Sequence, residues 1–282
     1  MAIVENDSLY FQKKGSKQAV APVKNKTNFN SLPVIAIDNS ASQFKDRIYI
    51  CWSDEKNGIN NKDVFIVYSD DDGKNWTEPI LVTYRPNHKD QFMPAISIDE
   101  KGTVYLLYYD AQNYFENGYA DIYLAISNNG GLKFNYYKLN QQPIKQTLKL
   151  QTKTSLHLIN ESGKIFASQR EEKKKANSTF IINDTLLNTI NIAARPEIQF
   201  ERTFTFSPKL TIDYSVNEDM KLTAVLTKPL LAGFEKIIVK NISVKKGNNR
   251  LILDMEKLGV KKGNYVLTFY YNGKNDLAWI TD

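Results

Sequence analysis

Short apolar runs, rich in β-branched and aromatic residues, recur along the first two thirds of the chain between clusters of Gly, Asn, Asp and Pro. Residues 32–38, 47–54, 63–69 and 80–82 form one set, and 93–99, 103–110, 121–127 and 136–139 form a second. No helical period is sustained between residues 30 and 145, so the pattern predicts strands throughout. After residue 198 the runs change to apolar–polar alternation, at 204–208, 210–216, 220–226, 236–240, 249–254 and 264–271. Turn signals such as Lys246-Gly247-Asn248 and Asn272-Gly273 separate them. About seven short strands in roughly 80 residues predict an immunoglobulin-like sandwich over 199–282.

The two early sets are copies of one unit. Leu32-Pro33-Val34-Ile35-Ala36-Ile37-Asp38 recurs as Met93-Pro94-Ala95-Ile96-Ser97-Ile98-Asp99, and Asp63-Val64-Phe65-Ile66-Val67-Tyr68-Ser69 recurs as Asp121-Ile122-Tyr123-Leu124-Ala125-Ile126-Ser127. The period is about 60 residues, with four strand-like segments per copy, which is the grammar of a β-propeller blade. The expected fold is therefore all-β: an incomplete propeller of about three four-stranded blades over 1–198, followed by the sandwich. A half-blade falls at 1–30, full blades at 31–87 and 88–145, and a degenerate blade at 146–198, where the closing turn is lost. Such a set cannot close a ring, and closure is what removes exposed sheet edges. The missing blades are expected from the rest of a longer chain or from another chain.

Each full copy ends its third strand in a polar turn. Ser69-Asp70-Asp71-Asp72-Gly73-Lys74-Asn75-Trp76 has the form Ser-x-Asp-x-Gly-x-x-Trp, and its mate Ser127-Asn128-Asn129-Gly130-Gly131-Leu132-Lys133-Phe134 puts Asn129 in place of the acid. The pair resembles the Asp box of sialidases and related BNR-repeat propellers, and it sits where that family places it. The resemblance covers residues 1–190 and is strongest over 32–140. It implies that Ser69, Asp71, Gly73 and Trp76, with Ser127, Asn129, Gly131 and Phe134, are turn builders on the face away from the active centre. Their chemistry suits that role: Ser and Asp bond the turn backbone, Gly supplies a positive φ, and the aromatic fills the space between neighbouring strands. A calcium loop of EF-hand type would want an acid at Tyr68 and a Glu at Pro79, and neither is present.

The same resemblance implies a secreted or surface protein that is the carboxy-terminal part of an exo-sialidase-type glycoside hydrolase or, alternatively, a non-catalytic propeller that binds a glycan, a cell-surface glycoprotein or another protein. The family's active centre joins three arginines that grip a carboxylate, a Tyr–Glu nucleophile pair and an Asp acid/base. Here the family's Phe/Tyr-Arg-Ile-Pro segment is absent, and Arg47, Arg85, Arg170 and Arg195 lie in no motif of that set. A different lead comes from the repeat itself. Asp54, Asp110 and Glu171 end the second strand of three successive units, beside the aromatics Trp52, Tyr108 and Tyr109. Acids and aromatic faces around a propeller mouth suit sugar binding or glycosidic chemistry; strand-end capping is the alternative. The solitary His88 and His157 read as ordinary loop or strand residues without metal-ligand spacing.

Composition narrows the field. The 282 residues are 42% hydrophobic and 24% charged, an ordinary globular balance that excludes wholesale disorder. The net charge of +6 comes from lysines scattered through every segment, with six arginines only, so no nucleic-acid stripe appears. The mixed run Arg170-Glu171-Glu172-Lys173-Lys174-Lys175 reads as a loop. A single cysteine, Cys51, excludes an internal disulfide framework and a Cys-rich zinc site, and no motif asks for a cofactor or metal. No window approaches the roughly 18 apolar residues of a membrane span. The opening Met1-Ala2-Ile3-Val4-Glu5-Asn6-Asp7 carries no signal pattern, so the expectation is a cytoplasmic protein or the carboxy-terminal piece of a longer, exported one. The stretch Leu251-Ile252-Leu253-Asp254, followed by Gly263-Asn264-Tyr265-Val266-Leu267, resembles the final β-domain of exported Bacteroidetes proteins, and a FlgD-type immunoglobulin domain is similar. That likeness implies a secretion-sorting role, against a plain spacer or dimerisation sandwich.

Overall fold

A computed structural model describes residues 1–23, 32–57, 61–83, 89–116, 118–145, 154–161, 164–171, 178–182, 198–229 and 234–282. Among them every regular element is a strand, so the described residues are all-β. It forms two compact units: Met1–Tyr84, Asp90–Ala111 and Gly118–Ala193 make the first, and Arg85–Lys89, Gln112–Asn117 and Ala194–Asp282 the second.

The first unit contains four antiparallel meanders, each an open sheet. The first sheet is β1 (Ala2–Glu5), β2 (Ser8–Lys13) and β3 (Ser16–Pro22). The second is β4 (Val34–Ile37), β5 (Ile48–Asp54), β6 (Asp63–Ser69) and β7 (Ile80–Leu81). The third is β8 (Gln91–Ile98), β9 (Val104–Asp110), β10 (Tyr119–Ser127) and β11 (Asn135–Lys138), with β12 (Ile144–Lys145) also on β10. The fourth is β13 (Thr154–Glu161), β14 (Lys164–Glu171) and β15 (Ser178–Ile182).

These sheets stack face to face, because successive side chains on a strand point to opposite faces and here both faces are apolar. From β5, Ile48, Ile50 and Trp52 join Leu9 and Phe11 of the first sheet in one core. The intervening Tyr49 and Cys51 join Val104, Leu106 and Tyr108 of the third sheet in the next. Leu107 and Tyr109 of β9 then meet Leu156 and Ala167 of the fourth sheet. Double coverage explains why β5 is buried at every position and why its sequence runs apolar from Ile48 to Trp52. At roughly 25 cal/mol per Å² of apolar surface, such central strands carry much of the unit's stability.

The second unit is two sheets around one core. One is β16 (Ile198–Phe200), β18 (Lys209–Val216) and β21 (Gly247–Asp254); the other is β17 (Thr203–Thr205), β23 (Lys274–Thr281), β22 (Tyr265–Tyr271), β19 (Met220–Thr227) and β20 (Glu235–Val244). Leu210, Ile212, Tyr214 and Val216 point inward from β18 to meet Leu222, Leu267 and Phe269, while Lys209, Thr211 and Asp213 face water. The alternation read from the sequence is thus one solvated face. On the outer face of β22, Tyr270 meets Phe115 at 6.0 Å between centroids, and Asn275 Nδ2 donates to Gln112 O at 3.0 Å.

Candidate functional site

The strands of the second and third sheets have two chemically different ends. At one end β5 begins opposite Ser69 and β9 opposite Ser127, the first residues of the two polar turns. At the other end Asp54 faces Asp63 and Asp110 faces Asp121. Seven-residue strands rising about 3.3 Å per residue keep these ends roughly 20 Å apart.

The two turns hold the same hydrogen bonds. Ser69 Oγ donates to Asp71 Oδ1 at 2.8 Å and accepts from the Gly73 N–H at 2.9 Å. Asp71 Oδ1 also accepts from the Asn75 N–H at 2.8 Å. In the second turn Ser127 Oγ donates to Asn129 Oδ1 at 2.8 Å and accepts from Gly131 N–H at 2.9 Å, and Asn129 Oδ1 accepts from Lys133 N–H at 2.9 Å. An amide oxygen serves as well as a carboxylate because the shared donors, a serine hydroxyl and a backbone N–H, ask only for an acceptor. The bonds from the Asn75 backbone, the Asn75 side chain and Ser69 hold the Asp71 carboxyl down to about 2.

Each turn glycine also sits against the preceding sheet. Gly73 has φ 83° and Gly131 φ 86°, the left-handed region that favours glycine. A Cβ at Gly73 would come within 2.5 Å of Phe11 Cε1, and one at Gly131 within 3.2 Å of Tyr49 Cε1. The turn aromatics follow suit: Trp76 meets Phe11 edge-on at 5.4 Å, and Phe134 lies buried beside residues of the second sheet. Burial pushes the Tyr49 phenol up to about 12, so it stays neutral there.

Arg47 ties the two turns together. Its Nε and Nη2 donate to Asp70 Oδ1 and Oδ2 at 2.6 and 2.9 Å, and Nη1 donates to Gly130 O at 3.0 Å. The guanidinium also lies 3.8 Å from the Tyr68 ring centroid. Its fork is committed to the turns. Arg85 and Arg195 lie outside the described residues, as does the side chain of Arg170 in β14.

At the opposite end the acids are buried. Asp54 is 1% exposed and Asp110 0%. Trp52 Nε1 donates to Asp54 Oδ2 at 3.3 Å, Asn57 Nδ2 to Asp63 Oδ2 at 2.8 Å, and Gln91 Nε2 to Asp110 Oδ1 at 3.1 Å. Asp121 accepts from Asn140 Nδ2 at 2.8 Å and pairs with Lys138 Nζ at 2.9 Å. The sheets are bonded to each other here: Gln91 N–H donates to Lys62 O at 2.7 Å, and Lys62 N–H to Asp90 Oδ1 at 2.9 Å. Among the described residues no group of acids, histidines and cysteine has the arrangement of a metal site.

The aromatics read beside these acids do not form one platform. Trp52 packs toward the first sheet, Tyr108 toward the second and Tyr109 toward the fourth, each at most 2% exposed. Glu171 pairs with Thr154 in the β13–β14 register, and its side chain lies outside the described residues, as do His88 and the side chain of His157. The only sequence signal for Asp63 and Asp121 as partners of Asp54 and Asp110 is their own recurrence at the start of the third strand.

No family model and no curated protein matches the chain. Among solved structures it is similar to the endo-arabinase of Bacteroides thetaiotaomicron, at 12% identity over 65% of this chain and 74% of that one, with a TM-score of 0.35. It is also similar to the Penicillium chrysogenum alpha-L-arabinanase complexed with arabinobiose (13% identity, 97% of this chain, 84% of that one, TM-score 0.39). A third likeness is to a PL25 ulvan lyase (11%, 100% and 81%, TM-score 0.35). At such TM-scores these likenesses decide neither fold nor chemistry.

Proposed function

We propose that the chain is a sialidase-like, Asp-box propeller protein of the cell surface or exterior that binds a glycan or glycoprotein without hydrolysing it. The four stacked sheets are its blades, and the second unit is an immunoglobulin-like sandwich of the sorting or spacer kind. The observation that carries this reading is the pair of Ser-x-Asp/Asn-x-Gly turns with one hydrogen-bond pattern in successive stacked sheets. Against hydrolysis stand the burial of Asp54 and Asp110 and the commitment of Arg47 to Asp70. A hydrolytic second reading draws on the facing carboxylates Asp54/Asp63 and Asp110/Asp121, since glycosidic chemistry commonly uses two acids.

A glycan array probed with the intact protein, beside turnover of fluorogenic sialosides and arabinosides, separates the two. Binding that survives Asp110→Asn, with no turnover by either protein, is expected. Turnover that Asp110→Asn abolishes at unchanged melting temperature would replace the binding reading with the hydrolytic one. Absence of both binding and turnover would remove the glycan assignment.

A further inference from the structure

The strand β22 is buried at every position, although only alternate residues reach the core between the two sheets of its unit. Tyr265, Leu267, Phe269 and Tyr271 point into that core. Val266, Thr268 and Tyr270 point the other way and are still at most 6% exposed. At the Tyr270 end the cover is the connection between β9 and β10, whose residues Gln112–Asn117 belong to the second unit. Asn275 Nδ2 donates to Gln112 O at 3.0 Å and to Asn113 Oδ1 at 2.8 Å, and both of these residues are buried. Lys89, of the same unit, donates from Nζ to Phe115 O at 3.0 Å and stands 5.5 Å from the Phe115 ring centroid. Lys240 of β20 stands 5.4 Å from that centroid, with its Nζ 3.6 Å from Glu116 Oε1. The Phe115 ring thus meets Tyr270 and two ammonium groups. The equivalent connection in the preceding copy, 55–62, contains no aromatic residue.

We propose that residues 112–116 are a strap bound on the outer face of the β22–β23 hairpin, and that the hairpin keeps its native packing only while the strap is docked. A connecting loop ordinarily lies in water and satisfies its backbone there. This one lays an aromatic ring against a sheet and gives its Gln112 and Phe115 carbonyls to Asn275 and Lys89. Lifting it would bare Tyr270, on the face that also carries Val266. The stretch 199–282 is therefore incomplete as a folding unit, because part of its cover comes from a distant segment of the chain. The inference goes beyond the functional reading above and is independent of whether a glycan binds.

Hydrogen exchange read by mass spectrometry in the full chain tests it. Phe115→Ala should speed exchange in residues 265–281 by about tenfold and leave β5 and β6 unchanged. Glu116→Ala, which removes only an exposed ion pair, should leave 265–281 within about twofold of the parent. Unchanged exchange at 265–281 in Phe115→Ala would overturn the strap, and so would equal acceleration in β5 and β6. A second measurement needs no variant. Chymotrypsin should cut after Phe115 at least about a hundredfold more slowly in the folded chain than in the unfolded one, since the docked ring must lift off to be bound. Cutting there within about tenfold of the unfolded rate would contradict the docking, whatever becomes of Phe115→Ala.

Discussion

The two ends of the central strands teach opposite lessons. At the turn end the residues differ between copies, Asp71 against Asn129 and Trp76 against Phe134, yet the hydrogen bonds agree within a tenth of an ångström. At the acid end the residues repeat, Asp54 with Asp110 and Asp63 with Asp121, yet their partners differ. Asn57 holds Asp63, whereas Asn140 and Lys138 hold Asp121. Backbone donors in a turn are the same whatever the sequence, so a turn tolerates any side chain that accepts from them. A buried carboxylate must find whatever donor its own surroundings supply, so identical acids acquire different partners.

The largest effect belongs to the acid end. Trp52→Ala removes a fully buried ring and the donor to Asp54, and chemical denaturation should show a loss of about 3–5 kcal/mol. A loss below about 1 kcal/mol would mean that this core is not packed as described. At the turn end, Ser127→Ala and Ser69→Ala should each cost about 1–3 kcal/mol, since each strands a buried glycine N–H. The sharper expectation is that the two costs agree within about 0.5 kcal/mol. A wide gap would break the equivalence of the turns.

The smallest effect is a titration. Asp71 titrates at about 2 in the folded chain against 3.8 without its partners, a lowered value. The stabilisation it brings is therefore full above the unfolded value and fades as pH falls toward the folded one. A carboxyl-carbon NMR titration should place its midpoint near the lower figure. A midpoint at the ordinary value would mean that the Asn75 and Ser69 bonds are not made.

Much of this fold is legible in the sequence because its signals are local. The repeated runs at 32–82 and 93–139 mark strands, and Gly73 and Gly131 mark turns, from neighbours within a few residues. Contacts across the chain are not legible. Arg47 reaches partners 23 and 83 residues away, and nothing near position 47 announces them. Trp52, Tyr108 and Tyr109 look like a ligand platform only if one sheet face is open. With both faces covered, alternation sends them into three separate cores. The strand β1 is not legible because its four residues carry no period, nor is β23, which opens on Lys274, Asn275 and Asp276.

One spectrum reaches the centre of the account, the face-to-face stacking of the two copied sheets. A nuclear Overhauser experiment should connect the Tyr49 ring protons with the α-protons of Gly131, and the Phe11 ring with Gly73. Contacts at both positions are the predicted result. Their absence, with amide contacts running instead from β7 to β8 as in one continuous sheet, would contradict it.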